Sequence, residues 1–417
     1  MFYLWIVPRM DRRSYIGLSV GTIATLAGCL GGSDDGGESE NGEGTTGEGE
    51  NGEENGADAS DSNWVLARAD EGRSGYNPDE PGFDEGFETA WTVRSGDRSF
   101  SPRTIVHDGT VYSNLSQLRA FDADGDELWE SNESVASELA FVDDRLVFIN
   151  DNERLIHVDP DSGDRLEAIS LENEIASRQG VIDAAVQMAH DGVYVRNGYT
   201  GSDPNRTEKY DLYTGELDWE SEEVSGSFAI TDDVIVVEGP SDQLFGLDRE
   251  NGETVWDMEL DASIHMARDG VVYCIPSPSG EELIYAVDAS DGSIQWEADG
   301  DYNRIVAIDD ELVYASDEDI LHAIETDSGE RRWEYIAPHW IGDGIVTDST
   351  IVFHGGGGTF EAGLTQVRLG PDAEQIGSKL TTDQYTESTN LLAADDTIYL
   401  TTHNLRALRP ESVVDED

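Results

Sequence analysis

Apolar and polar positions along this chain fall into short alternating runs separated by acidic turns, and one arrangement of them recurs. In Ala286-Val-Asp-Ala-Ser-Asp-Gly-Ser-Ile-Gln-Trp296 an apolar strand runs into a tight turn closed by Gly292, and a second strand carries Trp296. The pairs Gly215 and Trp219, Gly252 and Trp256, and Gly329 and Trp333 keep the same spacing. Asp122 to Trp129 is one residue shorter before its glycine, and Asp159 to Glu167 keeps the turn with Glu where Trp is expected. Self-similarity of this kind points to a repeat architecture before any single residue is weighed. Glycine supplies the positive φ that ends such a turn. The Trp has the area to pack against a neighbouring unit and needs a partner for its N–H.

A second landmark runs out of phase with the first. Apolar residues lead into an Asp-centred turn and then a β-branched or aromatic run, as in Met266-Ala-Arg-Asp-Gly-Val-Val-Tyr273. The turn aspartates are Asp108, Asp143, Asp191, Asp232, Asp269, Asp309, Asp348 and Asp395, spaced 35 to 48 residues apart. Asp-Gly between alternating apolar residues marks a two-residue type I′ hairpin, so each unit reads as two hairpins. Four strands every ~40–45 residues is the period of a propeller blade. The expected fold is therefore all-β: an eight-bladed β-propeller of four-stranded antiparallel blades over residues 63–410, with seven blades as the alternative. Phe87 to Val93, bearing Trp91, reads as an outer strand with no blade before it. Leu392 to Leu400 and Leu405 to Leu408 supply three strands with no fourth. Joining the two ends gives a mixed blade that closes the ring and leaves no open sheet edge.

The pattern has irregular places. Arg196 to Arg206 reads as an inserted surface loop, and Gly355 to Gly358 as a flexible connection, because it lacks the Lys-Ser/Thr of a phosphate loop. In the seventh unit Gly370-Pro371-Asp372 replaces the usual turn and no Trp follows.

The N-terminal region is organised differently. Arg12 and Arg13 precede an apolar Gly/Ala/Thr-rich run to Gly28, which marks residues 1–28 as an export signal of twin-arginine type, with Met10 a better start than Met1. Leu26-Ala-Gly-Cys29 resembles a lipobox, which implies cleavage before Cys29 and a lipid on its sulfur. Residues 29–62 hold scarcely an apolar side chain and read as an extended acidic tether. Residues 411–417 read as an acidic tail. The expected location is the extracellular face of the cell membrane.

Charge narrows the partners. The chain carries 89 acidic against 25 basic residues, a net charge of −64, and only Lys209 and Lys379 are lysines. Such a field argues against nucleic acid or an anionic bilayer surface as a direct partner. The acid is spread over every blade, the mark of a surface adapted to very high salt, where the Debye length falls to about 3 Å or less. An extreme halophile, archaeal in origin, is the expected source. Two cysteines, Cys29 and Cys274, exclude a disulfide framework and a Cys-rich metal site.

A search for chemistry gives little. The eight histidines are dispersed with no pair at metal-ligand spacing. Asp122-Ala-Asp-Gly-Asp and Asp159-Pro-Asp-Ser-Gly-Asp lack the distal Glu of a calcium loop and are better read as turns. Ring geometry places any site at the axial funnel, where loops enter the innermost strands. Those entries hold Arg103, Phe228, His265, Arg304, His339, Trp340 and Asn390, cations and aromatics against an acidic background. They either fill a wet channel or contact a small anionic or sugar-like ligand. Asn114, Asn132 and Asn205 open glycosylation sequons.

The turn-and-Trp repeat resembles the quinoprotein-type propeller shared by PQQ-dependent alcohol dehydrogenases and an outer-membrane assembly lipoprotein. The likeness covers residues 64 to 410, and Trp64, Arg73, Gly75 and Trp91 look like that family's opening. For its enzymes the resemblance implies a quinone with Ca²⁺ on the funnel axis, an Asp base and a pair of adjacent cysteines. This chain has no adjacent cysteines and no long inserted loops, so the non-enzymatic lipoproteins are the nearer comparison. The expectation is a monomeric, lipid-anchored scaffold without a cofactor that binds a cell-surface or membrane protein. A PQQ- and Ca²⁺-dependent dehydrogenase and a surface carbohydrate-binding protein are the alternatives.

Overall fold

A computed structural model describes residues 63–414, apart from 64, 67, 84, 95–102, 116, 174, 176–185, 198–205, 223–225, 241, 277–282, 356–362, 371–372, 381–389 and 403. The export signal with Arg12 and Arg13, Cys29, the tether, Trp64, Asn205 and His403 therefore lie outside the described residues, as does most of the Gly355 to Gly358 run.

The strands form eight blades of four antiparallel strands, seven of them running from an innermost to an outermost strand in chain order. Blades one to seven span Thr104–Glu130, Ala140–Ser170, Val186–Ser221, Phe228–Glu259, Ala262–Asp299, Arg304–Ile336 and Ile341–Leu380. Blade eight takes three strands from Asn390–Pro410 and its outermost from Phe87–Arg94, paired antiparallel along Phe87↔Pro410 to Arg94↔Asn404. The fold is an eight-bladed propeller closed by strand exchange between the two ends of the chain. After it, Glu411–Val414 makes one helical turn, with the Glu411 N–H on the Gly86 carbonyl. The inserted loop of blade three is shorter than the sequence suggests, since Gly192–Asn197 and Arg206–Tyr210 are both strands.

The core lies between blades. Each apolar cluster joins neighbouring sheets, such as Val306, Tyr314 and Trp333 of blade six with Ile341, Ile351 and Phe353 of blade seven. Middle strands have both faces covered, so they read as unbroken apolar runs: Leu146 to Ile149 and Ile235 to Val237 are fully buried. Outermost strands alternate instead, as in Ile294–Asp299, where Trp296 and Ala298 point inward and their neighbours meet solvent.

The Gly and Trp of the repeat are one device. In five blades the indole covers the turn glycine of the next, and its N–H donates to the carbonyl of that turn's second residue. Trp91 reaches Ala123 at 2.8 Å, Trp129 reaches Pro160 at 2.8 Å and Trp219 reaches Arg249 at 3.1 Å. Trp256 reaches Ala289 at 2.7 Å and Trp296 reaches Thr326 at 2.6 Å. Gly292 needs its missing side chain twice over: its φ is +73°, and a Cβ would come 2.7 Å from the Trp256 ring. Where blade two has Glu167 in place of Trp, Ile169 covers Gly215. Blade seven lacks the turn, and among the described residues the buried Trp333 N–H has no acceptor.

The Asp-centred hairpins are less uniform than their sequences. Both central residues have positive φ at Asp108-Gly109, Asp143-Asp144, Asp269-Gly270 and Asp395-Asp396, as a type I′ turn requires. At Asp191, Asp232, Asp309 and Asp348 they do not. There polar contacts shape the turn: the Asp309 carboxylate accepts the N–H groups of Glu311 and Leu312 and the Tyr314 hydroxyl.

One element is absent from the repeat. Residues 63–83 run across the end of the ring that carries these hairpins, touching the blades in order. The Asn63 side chain accepts the Asp108 N–H of blade one, and the Val65 carbonyl accepts the Phe141 N–H of blade two. Glu71 accepts the His190 N–H of blade three and pairs with Arg249 of blade four at 2.7 Å. Gly72 and Ser74 carbonyls accept Ala267 and Ile308 N–H groups of blades five and six. Tyr76–Asn77 adds a short parallel strand to blade seven, and the Asn77 amide donates to Ala393 of blade eight. Arg73 crosses back to the buried Glu138 of blade two. Arg68, Ala69 and Arg73 hold φ near +60 to +79°, a left-handed conformation that non-glycine residues adopt only when their surroundings impose it.

Candidate functional site at the axial mouth

At the opposite end of the ring, strands enter the innermost layer, and their first residues face the axis. The innermost strands of blades five, six and seven each carry a β-bulge at the same level, between Ile264 and Met266, Ile305 and Ala307, and Ile341 and Gly344. A bulge re-aims the residue it holds. Here the bulged residues are His265, Val306, and Gly342 with Asp343.

These bulges organise a charged cluster. Asp343 pairs with Arg304 at 2.6 Å and with Arg68 at 3.6 Å. Arg68 reaches in from the segment across the far mouth, donating to the Val306 carbonyl at 2.6 Å, to Gly344 at 3.2 Å and to the carbonyl of Arg73 at 3.1 Å. The carbonyls freed by two bulges thus receive a guanidinium delivered by the plugging segment. Arg304 also lies over the Trp340 ring, 5.4 Å from its centroid. Trp340 keeps 36% of its surface exposed. His354 packs behind, on Gly342, where a Cβ would strike its ring.

Electrostatics follow from this geometry. Burial works to raise the Asp343 carboxyl, but Arg68 and Arg304 outweigh it and hold the group below the ordinary carboxylate range. Burial pushes His265 down to about 4, with Arg304 adding to the effect. His354 is likewise pushed down to about 4 by burial, Arg304 and Arg68 outweighing the opposing Asp343. Both imidazoles are neutral at neutral pH. Two guanidiniums against one carboxylate leave a local positive excess in a chain of net charge −64.

Of the residues singled out by sequence, the structure gathers His265, Arg304 and Trp340 here, with half-buried His339 beside Trp340 in the chain. Arg103 and Asn390 sit apart, at the seam of blades eight and one. There the Arg103 N–H donates to the Asn114 side chain, and the Asn390 side chain accepts the Thr104 N–H at 3.1 Å. Asn114 is thereby engaged in the fold, whereas Asn132 is exposed. Phe228 is half-buried at the start of blade four. Sequence reasoning missed Arg68, Asp343 and His354. The signal for the last two was Gly342-Asp343-Gly344, two glycines around an acid inside a strand, the mark of a bulge.

The calcium-bridged quinone of the related enzymes can be tested against these groups. A hard divalent cation needs several oxygen ligands. The carboxylate on this axis, Asp343, is engaged by two guanidiniums, and among the described residues no three acidic, His or Cys side chains converge on one point. With its one described carboxylate paired in this way, the described part of the mouth does not fit that group.

Comparison with known proteins agrees with the architecture. BamB from Moraxella catarrhalis superposes with a TM-score of 0.55 at 14% identity, covering 78% of this chain and 98% of that one. Quinohemoprotein alcohol dehydrogenase ADHIIG from Pseudomonas putida HK5 gives 0.60 at 13% identity, covering 84% and 80%. The C-terminal WD40 domain of Sif2 gives 0.60 at 12% identity, covering 79% and 99%. At such identities the likeness speaks for the fold alone. No curated protein matches by sequence. The model of one family, described as outer membrane protein assembly factor BamB, matches residues 85–257 and 205–412, nearly the whole ring, and this chain belongs to that family.

Proposed function

We propose that this protein is a non-catalytic scaffold, exported through a twin-arginine signal, anchored by lipid on Cys29 at the outer face of the cell membrane, and docking other proteins on its ring. The observation that carries the reading is family membership across nearly the whole propeller, in a family described by an assembly factor. Folds host many functions, so the site must agree, and it does. The axial groups that could take or give a proton are not poised to do so: Arg68 and Arg304 hold Asp343, and burial keeps His265 and His354 uncharged. A general base on this axis would need a carboxylate or imidazole poised near the working pH, and these are all displaced downward. The solvated acidic surface fits a protein that works in very high salt.

Two experiments test the reading. Full-length protein is expressed in a salt-requiring host and located by fractionation. Wild type is expected in the membrane fraction and Cys29→Ser in the medium; an unchanged distribution removes the anchor. Crosslinking in native membranes then reports neighbours, and recovery of the chain alone counts against a scaffold. Titrating PQQ with Ca²⁺ in multi-molar salt is expected to leave Trp fluorescence and melting unchanged. Saturable quenching with a raised melting temperature would restore the dehydrogenase reading.

A further inference from the structure

The axial mouth has an unused recognition element. Arg304 spends one nitrogen on Asp343, and its Nε and second terminal nitrogen make no hydrogen bond among the described residues. Its side chain keeps 34% of its surface, so that edge meets solvent. The guanidinium lies over the exposed indole of Trp340, 5.4 Å from the ring centroid, a cation–π contact that restricts its freedom before a ligand arrives. Asp343 is shared with Arg68, which lies 3.6 Å from the same carboxylate oxygen that Arg304 holds. Arg68 in turn is anchored by three backbone carbonyls. The site is thus a preorganised planar fork beside an aromatic face, in a local positive excess on a strongly acidic molecule. A planar fork of two N–H donors matches a carboxylate bidentately. The neighbouring His265 and His354 are uncharged and add no competing cation.

We propose that the open mouth binds an organic carboxylate, its oxygens on the free edge of Arg304 and its apolar stem against Trp340. The proposal deepens the scaffold reading and rests on it for the source of the carboxylate, which is an acidic side chain of a docked protein if the mouth is a docking surface and a free small acid if it is not. Charge–charge steering is screened in high salt, but a short bidentate contact against an aromatic wall is screened much less. Recognition here therefore depends on geometry.

The test uses the full-length chain in multi-molar KCl, titrated calorimetrically with phenylacetate and with the end-blocked peptide acetyl-Glu-Glu-Glu-amide. Phenylacetamide, which keeps the stem and removes the charge, is the control. Saturable binding of phenylacetate is expected, weakened about tenfold or more by Arg304→Gln and severalfold by Trp340→Leu, with no binding of phenylacetamide. Trp340→Leu leaves both ion pairs of Asp343 in place, so it reads the site even if Arg304→Gln folds poorly. Absence of saturable binding by either probe overturns the proposal, as does equal affinity in wild type and both variants. Binding of both probes supports the site and the docking reading together. Binding of phenylacetate without the peptide supports the site and overturns protein docking at this mouth.

Discussion

Replacing Gly292 by Ala separates the two roles of the repeat glycine when it is compared with Gly270→Ala. Both glycines have nearly the same backbone, φ +73° and +75°, so each substitution carries the same left-handed cost of about 1–2 kcal/mol. Their surroundings differ completely. A Cβ on Gly270 meets nothing within 4 Å, whereas one on Gly292 comes 2.7 Å from Cε3 and 2.8 Å from Cδ2 of Trp256. The indole must lift. That stretches its 2.7 Å hydrogen bond to the Ala289 carbonyl, whose net worth is about 1 kcal/mol, and disturbs packing at a cost of about 1–3 kcal/mol. Gly292→Ala should therefore cost about 2–4 kcal/mol more than Gly270→Ala. For a domain of this size that is a further drop of about 2–5 °C in melting temperature at fixed salt, scaling from smaller proteins. Thermal melting of the two variants side by side gives the answer. Equal shifts would refute the argument that the indole is seated on the missing side chain, leaving the glycine only its turn conformation.

Three other outcomes follow from the same contacts. Trp333→Phe should destabilise less than Trp296→Phe by about 1 kcal/mol, since Trp296 donates to Thr326 at 2.6 Å while the Trp333 N–H has no acceptor among the described residues; denaturant melts of both check it. Deleting residues 63–83 should lower the melting temperature and open the hairpin end of the ring to limited proteolysis; an unchanged melt would make the segment a passive cover. His354 has a folded pKa of about 4, below its unfolded value of about 6.5, so its contribution is complete above about pH 6.5 and is lost as pH falls towards 4. The loss is on the order of 3 kcal/mol, and His354→Gln should flatten the melting profile over that window.

Strand count, blade number and ring closure were legible in the sequence because each rests on a local pattern: turn glycines, outer tryptophans and a missing fourth strand at one end matched by a spare strand at the other. The irregularity of the seventh unit could also be read, since Gly370-Pro371-Asp372 departs from the turn sequence; that the Trp333 N–H lacks an acceptor among the described residues could not. The plugging segment was not legible, for a physical reason. Residues 63–83 follow no period, and their side-chain and backbone polar groups meet eight different blades one at a time, contacts separated by up to 316 residues in the chain. Arg68, Ala69 and Arg73 adopt left-handed conformations that their residue types do not announce. The cluster at the axial mouth was half legible: Arg304, Trp340 and His265 stood out as cations and aromatics at strand entries, but of the three bulges there only that of blade seven had a sequence mark, the glycines on either side of Asp343.

The plug and the axial mouth are parts of one arrangement. A propeller closed by strand exchange is held at a single seam, between Phe87–Arg94 and Asn404–Pro410, and the residues just before that seam cross the ring. Threading past every blade ties the innermost strands together where outer-strand exchange cannot reach. The same segment delivers Arg68 to the carbonyls of Val306 and Gly344 and to the carboxylate of Asp343, groups that face the other mouth. Seating of the plug and the posture of Asp343 are therefore linked. A ligand carboxylate on the free edge of Arg304 adds negative charge beside Asp343, which strengthens the hold on Arg68 and tightens the plug, and by reciprocity a seated plug favours the ligand. Arg68→Met should thus weaken binding at a mouth it does not line, by removing a positive charge from the cluster around Asp343. Unaltered phenylacetate affinity in Arg68→Met, with the fold intact, would show that the two ends of the channel act independently.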